Sequence, residues 1–303
     1  MPYDAVLIAG PTASGKSAAA LALAEALGGA IINADSMQVY REAPILTAQP
    51  TDQDKRHVPH FLYGHVSVGE IYSVGRYAED AAVALGQVRA LGRLPIFVGG
   101  TGLYFMALTD GLAQIPPTPP EVRRNARARL AEIGVAALHA ELAALDPRTA
   151  ASLRPTDPQR VLRAFEVFEA TGRSLLDWQQ SPSEPALKNL RLAKFLADPP
   201  RDVLRARIAA RFEAMVDEGG LAEAMALKDL DPALPAAKLL GLRPLIALRE
   251  GRLGRAEALT GAITATRQFA KRQATWFRGR MPDYVRFPPE SSNIVSLLNE
   301  NFA

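Results

Sequence analysis

Cysteine is absent from this 303-residue chain, which excludes disulfides, thiolate metal sites and a cysteine nucleophile. Histidine is scarce as well, and His57, His60 and His65 fall in one stretch. With no cysteine and no close acidic motif to complete a ligand set, they read as loop histidines rather than a metal centre. No apolar run reaches the roughly 18 residues that a membrane-spanning helix needs. The opening segment Met1 to Gly10 is too short and too soon interrupted for a secretory signal, so a cytoplasmic location is expected.

What is present is unevenly distributed. The net charge is only +3, yet Lys238 to Arg280 carries ten basic side chains against Glu250 and Glu257 alone. A basic segment on a near-neutral chain points to a polyanionic partner, and equally describes a solvated helical surface. The apolar run 4–9, the segment Ala30 to Ala34 and the segment Leu94 to Val98 read as strands, and Ser17 to Leu27 and Ser73 to Leu91 as helices between them. That alternation predicts a parallel α/β sheet. Four prolines within Ile115 to Pro120 mark a stiff connector. Beyond it, 121–133, 135–145, 147–152 and 157–171 have only helical spacing, up to a second Pro-rich loop at Ser181 to Pro185. Leu190 to Leu196 again reads as a strand, and 200–280 as mainly helical. The expected organisation is a discontinuous core of 1–115 and 186–290, an inserted all-helical domain of 116–185, and a C-terminal tail of 291–303, loose from Leu297 to Ala303.

The strongest motif is Gly10-Pro11-Thr12-Ala13-Ser14-Gly15-Lys16-Ser17, a phosphate-binding loop placed between a predicted strand and a predicted helix. Glycines let main-chain N–H groups curl around phosphate oxygens, and the helix directs its positive end at them. Lys16 adds a mobile charge, and Ser17 can ligate Mg²⁺. The motif does not say which phosphate compound binds. Nucleotide-hydrolysing relatives of this loop carry a second acid at the end of an apolar strand. Here the strand Leu94 to Val98 runs into Gly99-Gly100-Thr101-Gly102 with no acid. The one acid just after a core strand is Asp35, which with Thr101 belongs at the same sheet edge as the loop. Asp35 in that crevice is a general base, a metal holder or a turn residue; Thr101 is a reactant-facing hydroxyl or a cap.

Together the motifs resemble the tRNA dimethylallyltransferase (tRNA isopentenyltransferase) family. The resemblance is carried by the phosphate loop, Asn33 to Arg41, Tyr72 to Val74 with Tyr77-Ala78, Pro95 to Tyr104, Asp157 to Ala164 and Ala270 to Arg278, in order along nearly the whole chain. It implies a P-loop NTPase-like sheet flanked by helices with an inserted helical domain. It also implies that the loop binds the pyrophosphate of dimethylallyl diphosphate. Asp35 would deprotonate the exocyclic amino group of the adenine just 3′ of the anticodon, Thr101 would orient the reacting groups, and pyrophosphate would leave toward Lys16. Asp35, Ser36, Met37 and Gln38, then Thr101, Arg123, Gln159, Arg160, Val161, Leu162 and Arg163, and Lys238, Gly241 and Arg243, correspond to tRNA-contacting positions. The chain departs from the family at Leu46 and Gln49, where a glycine and a lysine are usual, and this puts a basic contact near position 49 in doubt.

The residue chemistry agrees. An allylic diphosphate ionises readily once its leaving group is neutralised, which the loop amides, Lys16 and a magnesium on Ser17 supply. Arg207 and Arg211, four apart on one helix, are candidates to complete the clamp, or form an exposed helix face. Arg160 and Arg163 share a helix face. Arg272 and Arg278 are expected to face the crevice or RNA, with Trp276 and Phe277 packed. Three rivals stand beside this reading: a small-molecule kinase, a prenyltransferase acting on free adenine nucleotides, and a non-catalytic RNA-binding protein. A monomer is expected, because tRNA supplies the large partner surface.

Overall fold

A computed structural model describes residues 2–289 and 293–302. The chain divides into two compact units, Met1–Thr109 with Ala186–Ala303, and Asp110–Pro185.

The first unit is built on a six-stranded, wholly parallel sheet. Its strands are β1 (Ala5–Ala9), β2 (Gly29–Asn33), β3 (His60–Phe61), β4 (Leu94–Gly99), β5 (Leu192–Ala197) and β6 (Val285–Phe287), in the spatial order β3-β2-β4-β1-β5-β6. Helices α1 (Lys16–Leu27), α2 (Asp52–His57), α3 (Val74–Ala90) and α4 (Gly102–Thr109) follow the first four strands or their loops. The four strands β1, β2, β4 and β5 are nearly pure apolar runs because both faces are covered. Leu7 and Ala9 join one core with Tyr40, Tyr77, Phe97 and Phe105; Val6 and Ile8 join the other with Leu23, Ile96 and Phe195. The alternation is the two-residue period of a strand acting on two cores at once. β3 and β6 are too short to show any period, so they are illegible in the sequence.

The second unit is helical: α5 (Pro120–Leu145), α6 (Pro147–Ser152), α7 (Pro158–Thr171) and α8 (Leu175–Gln179). α5 breaks at Gly134, whose φ of 78° and ψ of 168° are open to glycine. Asp146 and Asp157 cap α6 and α7 by accepting the main-chain N–H groups of Thr149 and Arg160, and a proline follows each cap. Leu142, Ala150 and Ala164 form its small core.

The chain then returns to the first unit with α9 (Arg201–Met215), α10 (Leu221–Ala226), α11 (Leu242–Arg249), α12 (Arg255–Arg280) and α13 (Ile294–Phe302). The last corrects the expected loose tail. Ile294 and Leu298, four apart, are buried in the core with Leu23 and Phe195, and Phe302 packs edge-on against Phe195 at 5.3 Å. A short apolar stripe with a place to dock overrode the expectation that termini fray. No helix among the described residues is long and apolar enough to cross a membrane.

Candidate active site

β4 lies between β1 and β2, so the three loops that leave these strands are neighbours, and the main chain stitches them together. The Gly10 N–H donates to the Gly99 carbonyl at 3.3 Å, Ala34 N–H to Val98 at 2.7 Å, and Thr101 N–H to Ala34 at 3.1 Å. The seam is tight. A Cβ on Gly99 would stand 2.0 Å from the Ala34 carbonyl group. Gly99→Ala should therefore destabilise the protein by about 3 kcal/mol or more, the upper end of overpacking costs, read as a fall in the urea midpoint at unchanged slope.

The phosphate loop curls through two left-handed positions, Ala13 at φ 63° and Gly15 at φ 90°, into the first turn of α1. This turns successive N–H groups toward a common concavity. Lys16 is 8% exposed, and its Nζ donates to the Pro11 carbonyl at 3.3 Å. Burial lowers the Lys16 ammonium to about 8; the Asp35 charge raises it and Arg211 lowers it. Arg207 donates to the Ser14 carbonyl at 3.2 Å and Arg211 to the Thr12 hydroxyl at 3.3 Å. The pair thus lies along the loop rather than on an open helix face. Burial also depresses the Arg211 guanidinium, with Asp35 opposing and Arg207 adding to the effect. Ser17 is exposed on the first turn of α1 and its hydroxyl makes no hydrogen bond among the described residues.

Asp35 sits at the end of β2 in a turn fixed by Asn33. The Asn33 amide donates to the Asp35 and Leu62 carbonyls at 2.9 and 3.0 Å, and its oxygen accepts the Asp35 N–H at 2.8 Å. Asp35 Oδ1 accepts the Met37 N–H at 3.0 Å; Oδ2 has no hydrogen-bond donor among the described residues. So the carboxylate is a turn former through one oxygen and open through the other. Its charge reaches Lys16, Arg211 and the phenols of Tyr63 and Tyr104, both of which are held above the ordinary tyrosine range first by burial and then by that charge. Thr101 Oγ1 accepts the Ser36 N–H at 2.9 Å and donates to the Ser36 hydroxyl at 3.1 Å, so it locks the segment that carries Asp35.

A solvent-open pocket lies beside Thr12 and Arg211, walled by Leu46, Ile208, Phe212, Met215 and Leu240. Residues 38–280 match the IPP transferase family, and residues 3–59 match the isopentenyl transferase family. The chain is 53% identical to a tRNA dimethylallyltransferase of Rhodopseudomonas palustris (strain BisB18), over 94% of this chain and 91% of that protein. It belongs to the tRNA dimethylallyltransferase family. Two solved structures agree with it in fold. One is the full-length tRNA isopentenylpyrophosphate transferase of Bacillus halodurans: 32% identity, TM-score 0.67, 98% of this chain and 94% of that one. The other is a eukaryotic dimethylallyltransferase acting on tRNA: 26% identity, TM-score 0.75, 90% of this chain and 69% of that one. Membership brings the chain into a family of prenyl-transferring enzymes.

The remaining positions that the family resemblance marks fall in several places. Gln38 donates to the Thr47 and Ala48 carbonyls at 3.0 and 2.7 Å, holding the loop at Leu46 to Gln49, and Met37 is half-buried against the core. Lys238 and Arg243 are exposed and make no ion pair among the described residues. Gly241 is left-handed at φ 84°, and a Cβ there would come 2.4 Å from the Phe212 ring, so its place is dictated by packing. In the helical unit Gln159 and Arg160 are exposed, with Arg160 3.5 Å from Asp157. Leu162 is partly buried. Arg163 donates to Thr118 at 3.0 Å and lies 3.8 Å from Glu166; burial lowers it, Glu166 raises it and Arg123 lowers it. Val161 is fully buried with Ala164 and Val167, so its side chain is turned away from any partner. The helical spacing of Val161, Ala164 and Val167 already encoded this.

Gln49, which stands where the family usually has lysine, donates to the Tyr40 carbonyl at 2.7 Å and to the Thr47 hydroxyl at 3.3 Å. It tethers its loop without a charge. Phe277 is buried and Trp276 is packed, as expected, and Arg272 is exposed, 5.8 Å from the Phe269 ring. Arg278 lines a small cleft with Pro11 and Arg286. Gln273 has a place that the sequence analysis did not assign. It is buried on α12, accepting the Thr12 N–H at 2.9 Å and donating to the Gly100 carbonyl at 2.8 Å. The signal was available, because Thr266, Ala270, Gln273 and Phe277 form one helical stripe, and an amide on such a stripe needs partners.

Proposed function

We propose that this chain transfers a dimethylallyl group from dimethylallyl diphosphate to the exocyclic nitrogen of an adenine in tRNA, the one 3′-adjacent to the anticodon. The observation that carries the reading is the unbonded Asp35 Oδ2, on a carboxylate whose charge acts on Lys16 of the phosphate loop and on Arg211 beside that loop. In that reading Asp35 accepts the amino proton while nitrogen bonds to the allylic carbon. The carbon–oxygen bond to the diphosphate breaks, and the loop amides, Lys16, Arg207 and Arg211 receive the charge of the departing pyrophosphate. Thr101 holds Ser36 and so the base. The pocket beside Arg211 offers Leu46, Ile208, Phe212, Met215 and Leu240 as an apolar wall for the prenyl chain.

A divalent ion fits this arrangement. The Ser17 hydroxyl is exposed at the loop's helix, and no cluster of three acidic or histidine ligands exists among the described residues. Ser17, water and diphosphate oxygens would hold Mg²⁺, which keeps several waters by preference and would offset leaving-group charge.

In this reading the tRNA-contacting residues of the first unit are Ser36, Met37 and Gln38 near the base with Lys238 and Arg243, and those of the second unit, taken by itself, are Arg123, Gln159, Arg160 and Arg163. Lys238→Ala and Arg243→Ala should each weaken tRNA binding and lower the slope of log K against log salt by about 1, with pyrophosphate affinity unchanged. Titrations at several salt concentrations check this. The enzyme is expected to be a cytoplasmic monomer.

The deciding experiment offers labelled dimethylallyl diphosphate to unmodified tRNA, AMP and ATP in parallel. Label in tRNA alone supports the proposal; label in AMP or ATP assigns the chain to free nucleotides. No label anywhere, with phosphate passing from ATP to a metabolite, returns it to the kinases.

A further inference from the structure

The buried face of α12 is alanine, phenylalanine and one threonine that bonds back to its own helix, with a single amide among them. A buried amide is costly unless both its ends are paired. Gln273 pairs them on two different loops: its oxygen with Thr12 N–H at 2.9 Å in the phosphate loop, its nitrogen with the Gly100 carbonyl at 2.8 Å in the loop of Thr101. One turn away, Trp276 covers Gly102 so closely that a Cβ there would sit 1.9 Å from its ring. α12 therefore meets the Gly100 to Gly102 loop at both ends. A Cβ on Gly100 would meet Gln273 Nε2 at 2.5 Å and Asp35 Oδ2 at 2.9 Å, so the amide and the carboxylate share one face of that glycine.

We infer that Gln273 is a positioning residue for the transfer reaction: its amide sets the spacing between the phosphate loop and the Asp35–Ser36–Thr101 group. The inference rests on the roles given above to Asp35 and the loop. A displacement reaction needs its leaving group and its base held at fixed separation, and small misplacements cost rate rather than affinity. Gln273 is the only described side chain that hydrogen-bonds to both loops at once.

The substitution Gln273→Glu separates this role from general packing. The side chain keeps its shape and its acceptor for Thr12. Ionised, it turns a carboxylate oxygen toward the Gly100 carbonyl and stands beside Asp35; protonated, it donates to Gly100 as the amide does. Burial and the neighbouring carboxylate both favour the protonated form.

Single-turnover transfer to tRNA is measured from mildly acid to mildly alkaline pH for the full-length wild type, Gln273→Glu and Gln273→Met, with binding of inorganic pyrophosphate followed in parallel. Gln273→Met should transfer about tenfold or more slowly with pyrophosphate affinity within about threefold of wild type. Gln273→Glu should approach wild type at acid pH and fall behind by about tenfold as pH rises. A Gln273→Glu to wild-type ratio that stays flat with pH, or Gln273→Met within about twofold of wild type, overturns the inference. If Gln273→Met does not fold, the isosteric glutamate carries the decision. Asp35→Asn in the same series distinguishes the two levels: full activity there removes the reading of Asp35, whereas a flat glutamate profile beside an inactive Asp35→Asn removes only the role of Gln273.

Discussion

Asp35→Asn should lower the rate of prenyl transfer by about 10²–10⁴ while pyrophosphate and tRNA still bind with affinities near wild type. Asparagine is the informative replacement because Asp35 does two things. Oδ1 accepts the Met37 N–H at 3.0 Å, and the asparagine oxygen can keep that bond and the turn with it. What asparagine cannot do is take a proton. Alanine would remove both functions, and its loss of activity could come from a displaced Ser36 to Gln38 segment alone. The adenine amino group is not basic enough to attack unaided, so the variant isolates the proton acceptor. Single-turnover rates with saturating tRNA, set beside binding isotherms for pyrophosphate, make the comparison. A rate within tenfold of wild type would mean that the carboxylate shapes a turn and another group accepts the proton.

The same residue shows what the sequence could and could not say. That an acid followed an apolar strand was readable, and parallel-sheet topology put it at the edge that holds the phosphate loop. Which of its oxygens is open was not, because that depends on Asn33, Met37 and the glycines of the β4 loop, each a contact in the folded chain. The central strands were readable because two-sided burial writes itself as unbroken apolar runs. β3 and β6 were not, since two or three residues joined to an existing sheet edge need no pattern of their own. The break at Gly134 is local chemistry and was visible as the gap between 121–133 and 135–145. The C-terminal helix was misread because Ile294, Leu298 and Phe302 gain their reason only from a core that includes Leu23 and Phe195, far earlier in the chain. Gln273 was passed over for a related cause. Its flanking Lys271 and Arg272 carried the charge signal of an RNA surface, while its own place on the buried stripe pointed inward.

The second large effect is expected at Lys16. Lys16→Met keeps the length of the side chain and removes its charge, and should lower kcat/KM for the allylic diphosphate by about 10²–10³, with pyrophosphate affinity falling alongside. The native side chain is poised for this use: burial holds it at about 8 against an ordinary 10.5. In the free enzyme, then, a rising fraction of Lys16 is neutral above pH 8, whereas a bound diphosphate favours the charged form. Diphosphate binding should weaken as pH climbs past that value and should take up a proton there, which calorimetry in two buffers of different ionisation enthalpy measures directly. Stability carries the opposite sign. Between about 8 and 10.5 the unfolded chain holds a proton that the native one has released, so this group makes stability rise with pH across the window, and the methionine variant should lack that rise. Both effects follow from one buried ammonium. If the variant kept the wild-type pH dependence of binding and of stability, the charge that meets the diphosphate would have to be supplied by Arg207 and Arg211 instead.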